Sequence, residues 1–364
     1  MNKIATLLSG GIDSLVAARL LIDQGIQVLG IHFITGYERS SPDKPPASRC
    51  HPEIEHGSPE AAAADIAGRL SDQLKIPVKI FDCSRVFQTK VVDYFIRTYQ
   101  EGKTPSPCLI CNPFIKFDAA LSFARQLGAT HLATGHYACL RRDNTGTHHL
   151  CRGRDRQKDQ SYFLARLNQK ALASAVFPLC DMTKADTIRT AASKNLTPVV
   201  AEESQDICFI KQGHYGVFLE QQSDFQSRPG IIEDSSGNII GRHPGLHAFT
   251  IGQRKGINCP AAEPYYVLKI DTKRNRLVVG FKNESYSRTC RVEDVHWIHH
   301  APDRPVYAHT RIRYRHQAAA STITPTSSRS ATVNFESPQN AVTPGQAAVF
   351  YDGDEVLGSG WIAA

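Results

Sequence analysis

The sequence predicts an α/β protein: a parallel-sheet, Rossmann-like domain, then a small central domain and a C-terminal antiparallel β-barrel. Three observations carry this. Apolar strand runs alternate with helix-period segments until about residue 213, the pattern of a parallel sheet covered by helices. The first strand passes directly into a Ser-Gly-Gly turn and a helix. From Arg276 onward, short alternating segments separated by Gly and Pro take over, as in small closed sheets. The expected division is 1–212, 213–275 and 276–364.

The elements follow in order. Ile4 to Leu8 reads as a buried strand, and from Ser14 the residues Leu15, Ala18, Leu21 and Ile22 share one helical face. Ile26 to Phe33 is a second strand. Thr35 to Glu60 is Pro- and Ser-rich, hence a loop. Ala61 to Leu74 reads as helix, Val78 to Phe81 as strand, and Val86 to Tyr99 as helix. A double-proline turn from Gly102 leads to Cys108 and Cys111, with a helix expected from Phe114 to Leu127. Thr130 to Ala133 is a strand, and Met182 to Leu196 a helix. Barrel strands are expected at Leu277 to Val279, Arg311 to Tyr314, Ala331 to Phe335, Ala347 to Tyr351 and Trp361-Ile362. The Ser/Thr/Ala-rich stretch Ala318 to Ser330 reads as a hairpin loop.

At 364 residues the chain is long enough for two or three cores, and 41% hydrophobic with 21% charged residues is a globular composition. No stretch approaches the roughly 18 uninterrupted apolar residues of a membrane span. The first strand begins at once, leaving no room for a signal peptide, so a cytoplasmic protein without a membrane partner is expected. The formal charge of +7 suits a polyanion such as RNA and equally suits plain solubility. Ten scattered cysteines do not make a disulfide framework. Cys83, Cys139, Cys151, Cys180, Cys259 and Cys290 read as buried thiols, and Cys50 beside His51 is at most a weak metal pair. Composition leaves the oligomeric state open.

Leu7, Leu8, Ser9, Gly10, Gly11, Ile12, Asp13 and Ser14 form a strand-turn-helix junction. Adjacent glycines let backbone N–H groups close on an anion, and the helix N-terminus adds its positive dipole end. The nucleotide-kinase loop carries a Lys before Ser/Thr; here Asp13-Ser14 stands in its place. Holding a leaving pyrophosphate fits this loop better than transferring a terminal phosphoryl group. Cys111 is expected near a helix N-terminus, where the dipole lowers a thiol pKa. Cys208, between Asp206 and Phe209-Ile210, sits at the edge of a core.

These residues, with Thr104 to Asn112, Ala133 to Ala138, Lys158 to Leu164, Phe249 to Gly256, Arg313-Tyr314-Arg315, Thr343 to Gln346 and Val349 to Tyr351, resemble the tRNA-specific 2-thiouridylase family (MnmA/TrmU) over nearly the whole chain. The resemblance implies that ATP, with Mg2+, adenylates the C2 oxygen of wobble uridine 34 of tRNA, and that sulfur then displaces AMP. It implies Cys208 as the persulfide carrier and Cys111 as its partner. It implies Leu7 to Ser14 as the pyrophosphate loop, with Phe33 and Gly135 lining the adenosine. It also implies that Ser106, Pro107, Cys108, His136, Lys158, Asp159, Gln160, Arg313, Tyr314 and Gln346 touch tRNA. A sulfur-donor protein or inorganic sulfide is the further partner. The local pattern also admits plainer roles: His136 as a helix cap, Lys158 to Gln160 as an exposed helix start, Arg313 and Arg315 as a solvated strand face.

Two departures stand out. The family turn reads Asn-Pro-Asp, whereas here Ser106-Pro107-Cys108 replaces the carboxylate with a thiol. Cys108, Cys111 and Cys208 then offer three ligands for a [4Fe-4S] cluster, a set also compatible with zinc; the alternative is an incidental Cys108 beside a persulfide site. The second departure is Ile34 to Glu38 and the loop after it, where the family carries Asn-Trp-Glu. Other readings are a different adenylating ligase with this loop and a tRNA-binding protein without sulfur chemistry.

Overall fold

The computed structural model describes residues 3–38, 59–200, 207–210, 215–222 and 225–363. Cys50, His51 and Asp206 lie outside the described residues. The chain divides into two compact units, residues 1–91 with 108–211 and residues 92–107 with 212–364. Among the described residues no helix is long and apolar enough to cross a membrane.

The first unit is built on a five-stranded sheet in the order β3-β2-β1-β4-β7. Its strands are β1 (Lys3–Leu7), β2 (Gln27–Ile34), β3 (Val78–Asp82), β4 (His131–Ala133) and β7 (Ala175–Val176). All its pairings are parallel, with Leu7 opposite Ile31 and Thr6 opposite Ala133. The order reverses between β1 and β4, which makes the C-terminal end of β1 a topological switch point, the usual ligand crevice of such sheets. Helix α1 (Ile12–Asp23) buries Leu15, Val16, Ala17, Ala18 and Leu21. It packs with α2 (Pro59–Leu74) and the sheet through Leu8, Leu70 and Leu74. α1 starts two residues before the periodic signal at Ser14, because Gly11 serves as its N-cap.

Helical runs at 84–100 and 108–126 each contain a π-helical stretch, Gln88–Val92 and Asn112–Ala120. The second run starts at Cys108 rather than the expected Phe114, and Pro113, which lacks an N–H, falls where the α-helical turn gives way to the π-helical stretch. The β5 (Ala138–Arg142) and β6 (His148–Arg152) hairpin was not legible in the pattern. The helix expected at Met182 to Leu196 is Lys184–Ser193, set off by a capping box between Thr183 and Asp186.

In the second unit a four-stranded sheet has the order β10-β11-β8-β9. These are β8 (Gly230–Asp234), β9 (Ile239–His243), β10 (Tyr266–Asp271) and β11 (Arg276–Gly280). β11, grouped with the barrel on sequence pattern, belongs here, with Leu277 paired to Ile232. The remaining strands run β12 (Tyr286–Trp297), β13 (Val306–Arg311), β14 (Ala319–Ser327), β15 (Ser330–Asn340), β16 (Ala347–Asp352) and β17 (Glu355–Ile362). They pair antiparallel in the order β12-β15-β14-β13-β16-β17, and the β12–β17 pairing closes the barrel. Val292, Ile323, Val333 and Phe350 fill it. Ala318 to Ser330 is thus mostly strand: Thr322 and Thr324 pair with Asn334 and Thr332, as β-branched residues favour.

Candidate active site

The turn after β1 is fixed from several directions. Gly10 has φ +86°, and a Cβ there would lie 2.6 Å from Val200 Cγ2. Its carbonyl accepts the N–H groups of Val199 at 2.9 Å and Val200 at 3.2 Å. No side chain caps α1 at Gly11, and Ser14 Oγ donates instead to the Gly11 carbonyl at 2.8 Å. A glycine turn leading into a helix start without a side-chain cap is a cradle that fits phosphate oxygens. Gly135, just after β4, approaches so closely that a Cβ would stand 2.9 Å from Asp13 C and Ser14 N. Ser9 is exposed and Phe33 half-buried at the strand ends beside this turn, while Leu7 and Leu8 are buried.

Asp13 is the most heavily engaged residue of the loop. Lys184 Nζ donates to both its carboxylate oxygens, at 2.7 and 2.9 Å, and Tyr137 Oη donates to Oδ1 at 2.9 Å. Tyr137 is buried and also reaches Thr187 Oγ1 at 2.9 Å. The lysine missing from the loop therefore arrives from another helix. Nothing in the loop's own sequence points to it.

The second half of the site is a set of thiols. Cys108 and Cys111 lie in the opening turn of the 108–126 run, and Cys208 is exposed in the short segment 207–210. Phe209 anchors that segment: it is buried, and its ring sits 5.7 Å from Phe87 and 5.8 Å from Tyr37. Burial pushes the Cys108 thiol up to about 11, the Cys208 charge adds to this, and Lys116 opposes it. Cys111 is pushed up further by burial, again against the pull of Lys116. The expected lowering of Cys111 by the helix dipole is therefore corrected: loss of water outweighs it. Lys116 Nζ is 3.3 Å from His136 Nε2, and His136 Nδ1 is 2.7 Å from Thr134 Oγ1. Burial and Lys116 hold this imidazole well below its ordinary pKa.

Lys116 follows Cys111 by five residues, which in an α-helix is roughly 140° around the axis. The π-helical i→i+5 register brings the two toward one face. Asn112 donates to the Phe163 carbonyl at 2.8 Å, and its buried Oδ1 has no hydrogen-bond partner among the described residues.

Family models match in three blocks: a tRNA methyl transferase HUP domain over residues 2–212, a PRC-barrel domain over 217–281 and an aminomethyltransferase β-barrel domain over 287–362. The tRNA-specific 2-thiouridylase MnmA of Desulfosudis oleivorans is 48% identical over 99% of this chain and 95% of its own length. The chain belongs to the tRNA-specific 2-thiouridylase family. Relatives of the same name from Acidithiobacillus ferrooxidans and Geotalea uraniireducens are 42% and 40% identical, each over 99% of this chain and 98% and 95% of their own. Among solved structures, the U34-tRNA thiolase NcsA from Methanococcus maripaludis with its [4Fe-4S] cluster covers 57% of this chain and 60% of its own at 17% identity. Its TM-score of 0.33 is too low to bear on the cluster here.

The positions that the family resemblance assigns to tRNA are varied in setting. Asp159 is buried and accepts the N–H groups of Gly153 and Ser161 at 3.3 and 3.1 Å. Gln160 Oε1 accepts the Tyr137 N–H at 3.1 Å, while Lys158 is half-buried. Arg313, Tyr314 and Arg315 lie in the turn after β13, not on a strand, and Arg313 Nη1 donates to the Asn340 carbonyl at 3.1 Å. In the second unit, Gln346 Nε2 donates to the carbonyls of Thr104 and Pro105 at 3.3 and 3.0 Å. Ser106 and Pro107 are buried.

The other cysteines divide unexpectedly. Cys83, Cys151 and Cys290 are buried thiols and Cys259 is half-buried, but Cys139 and Cys180 form a disulfide. They are 41 residues apart. The fold lays the start of β5 beside the segment that follows β7, a neighbourhood no local pattern announces.

Proposed function

We propose that this chain is an ATP-dependent tRNA 2-thiouridylase, a tRNA-uridine 2-sulfurtransferase acting in the cytoplasm, with its thiolation domain over 1–212, a central domain from 213 that runs past residue 275 to take in β11, and the barrel after it. The observation that supports it best is the placement of Cys108, Cys111 and Cys208 within one electrostatic neighbourhood, on the domain that carries the phosphate loop. The loop from Leu7 to Ser14 and the N-terminus of α1 receive the pyrophosphate, with Phe33 and Gly135 beside the adenosine. Asp13 is the residue that would hold Mg2+, which when bound neutralises phosphate charge.

The C2 oxygen of the uridine attacks the α-phosphorus and pyrophosphate leaves. The terminal sulfur of a Cys208 persulfide then attacks C2 and AMP departs. The Cys111 thiolate attacks Cys208 Sγ, the bond from that sulfur to the sulfur at C2 breaks with its electron pair moving onto the latter, and 2-thiouridine and a Cys111–Cys208 disulfide remain. A thiol reductant resets the pair. Ser106 to Cys108, His136, Lys158 to Gln160, Arg313, Tyr314 and Gln346 are proposed to meet the tRNA.

A second reading is favoured by one residue, Cys108. With Cys111 and Cys208 it would hold a [4Fe-4S] cluster, whose open iron supplies a binding position for sulfide. The test is iron and acid-labile sulfide on protein purified without oxygen, alongside thiolation of unmodified tRNA with ATP-Mg2+ and either a persulfide-bearing donor protein or sulfide. Iron-free protein that thiolates from the persulfide donor supports the first route. Stoichiometric iron, lost with activity in Cys108→Ala, supports the second. Tight tRNA binding with no 2-thiouridine from either donor would overturn both and leave an RNA-binding protein or another ligase.

A further inference from the structure

The Cys139–Cys180 disulfide is a pair separate from the proposed sulfur-transfer thiols, and its place in the chain relative to the partners of Asp13 is specific. Cys139 follows Tyr137 by two residues; Cys180 precedes Lys184 by four. Tyr137 and Lys184 are the two side chains that grip Asp13. The disulfide therefore joins the two chain segments that deliver the two partners of one loop residue.

The segment 177–183 has no strand or helix of its own. Its side chains Phe177 and Leu179 are buried, and its backbone receives two bonds from Arg154, whose N–H donates to the Cys180 carbonyl at 3.0 Å and whose guanidinium donates to the Asp181 carbonyl at 3.1 Å. The start of the Lys184 helix is closed by the capping box at Thr183 and bonded to Asp155, and Thr187 meets Tyr137 Oη, so the disulfide adds a covalent link to a junction already hydrogen-bonded. Cys180 is half-buried, so its sulfur is open to attack, whereas Cys139 is 8% exposed. Disulfides in reducing compartments are usually transient, catalytic or sensing rather than structural.

We infer that Cys139–Cys180 is a thiol-disulfide exchange site, taking a dithiol reductant as its substrate, whose oxidised form clamps Tyr137 and Lys184 on Asp13 and whose reduced form loosens the phosphate loop. The exchange is balanced. A thiolate of the dithiol attacks Cys180 Sγ, the S–S bond breaks, and Cys139 leaves as a thiolate. The second thiol of the reductant then closes its own disulfide and releases Cys180. Two electrons and two protons pass from the dithiol to the protein. The site reports thiol poise at the ATP end of the domain, separately from the Cys111–Cys208 pair. The inference rests on reading the Ser9 to Ser14 loop as the ATP site.

The test compares the native chain before and after equilibration with reduced dithiothreitol. Isotope-coded alkylation and mass spectrometry assign the state of each cysteine. ATP affinity is measured by calorimetry, and loop order by hydrogen exchange. Reduction of Cys139–Cys180 should weaken ATP binding about tenfold, a typical coupling between sites. It should also speed amide exchange at 10–16 and 177–190. The Cys139→Ser/Cys180→Ser chain should bind ATP as the reduced form does, whatever the dithiol. Unchanged exchange in the reduced native chain overturns the clamp, even if the double variant does not fold. So does an ATP response to dithiol that persists in the double variant, since Cys111 and Cys208 would then be its source. Altered exchange with no ATP binding in either state would leave the clamp standing and remove the ATP reading instead.

Discussion

The two ends of the first unit solve opposite problems. At the phosphate loop, backbone and side chains are tied before any ligand arrives: Gly10 to Val199 and Val200, Asp13 to Lys184 and Tyr137, Gly135 packed on Asp13 and Ser14. Such preorganisation is what charge stabilisation requires, because nothing then has to reorganise when charge develops. At the thiol end, Cys108 and Cys111 are half-buried and desolvation raises both thiols above their ordinary pKa, while Cys208 stands exposed. The exposed thiol is the one best placed to meet a sulfur source. On the proposed function, the adenylating half would be rigid by hydrogen bonding and the sulfur half selective by exposure.

Removing a sulfur should separate the halves most completely. Cys208→Ser and Cys111→Ser should each lower 2-thiouridine formation by about a thousandfold or more, the scale of losing a nucleophile. Pyrophosphate release from ATP with tRNA should persist, read by coupled phosphate assay and nucleoside mass spectrometry. Loss of both activities in either variant would mean the ends are not separable.

Alkylation tests the difference in exposure directly. Cys108, with its thiol near 11, carries on the order of one thiolate in ten thousand at pH 7. Its reaction with iodoacetamide should rise about tenfold per pH unit up to that value, because the thiolate is the attacking form. Exposed Cys208 should react at least about a hundredfold faster at pH 7. Equal rates would remove the contrast.

Lys184→Met attacks the other end. It leaves Asp13 with Tyr137 alone, and should cost about a hundredfold in ATP-dependent pyrophosphate release, in the range of lost electrostatic stabilisers. Alkylation of Cys108, Cys111 and Cys208 should be unchanged. Gly135→Ala should act in the same direction but less, about tenfold in KM for ATP, with stability lowered by about 1–3 kcal/mol from overpacking against Asp13.

What the sequence made visible follows the same division. The phosphate loop is local, so Gly10, Gly11, Asp13 and Ser14 could be read from adjacent residues. The parallel sheet around it followed from alternation, while the order of its strands did not. Lys184 could not be read so, since it meets Asp13 across 171 residues, although Thr183 and Asp186 announce its helix start. Lys116 was hidden for a different reason: its alignment with Cys111 depends on a π stretch that ordinary helical periodicity does not encode. Burial misled as well. The position of Cys111 near a helix start suggested a lowered pKa, and only the packing around it shows which effect is larger. Ser- and Thr-rich β14 was mistaken for loop because composition was weighed over β-branching.

Phe209→Leu offers the smallest and most discriminating change. Phe209 contributes no group that reacts, yet its ring, packed on Phe87 and Tyr37, is what seats the residue beside Cys208. Leucine keeps most of the apolar burial and loses the edge-to-face contacts, worth about 0.5–1.5 kcal/mol. If Cys208 is positioned through this anchor, thiolation should fall by roughly three- to tenfold, the factor that energy loss corresponds to. KM for ATP and pyrophosphate release should stay at the native values if the ring serves only to seat Cys208 against Phe87 and Tyr37. A matching fall in pyrophosphate release would show that the thiol segment also shapes the ATP end, and that order at one end of the domain depends on the other.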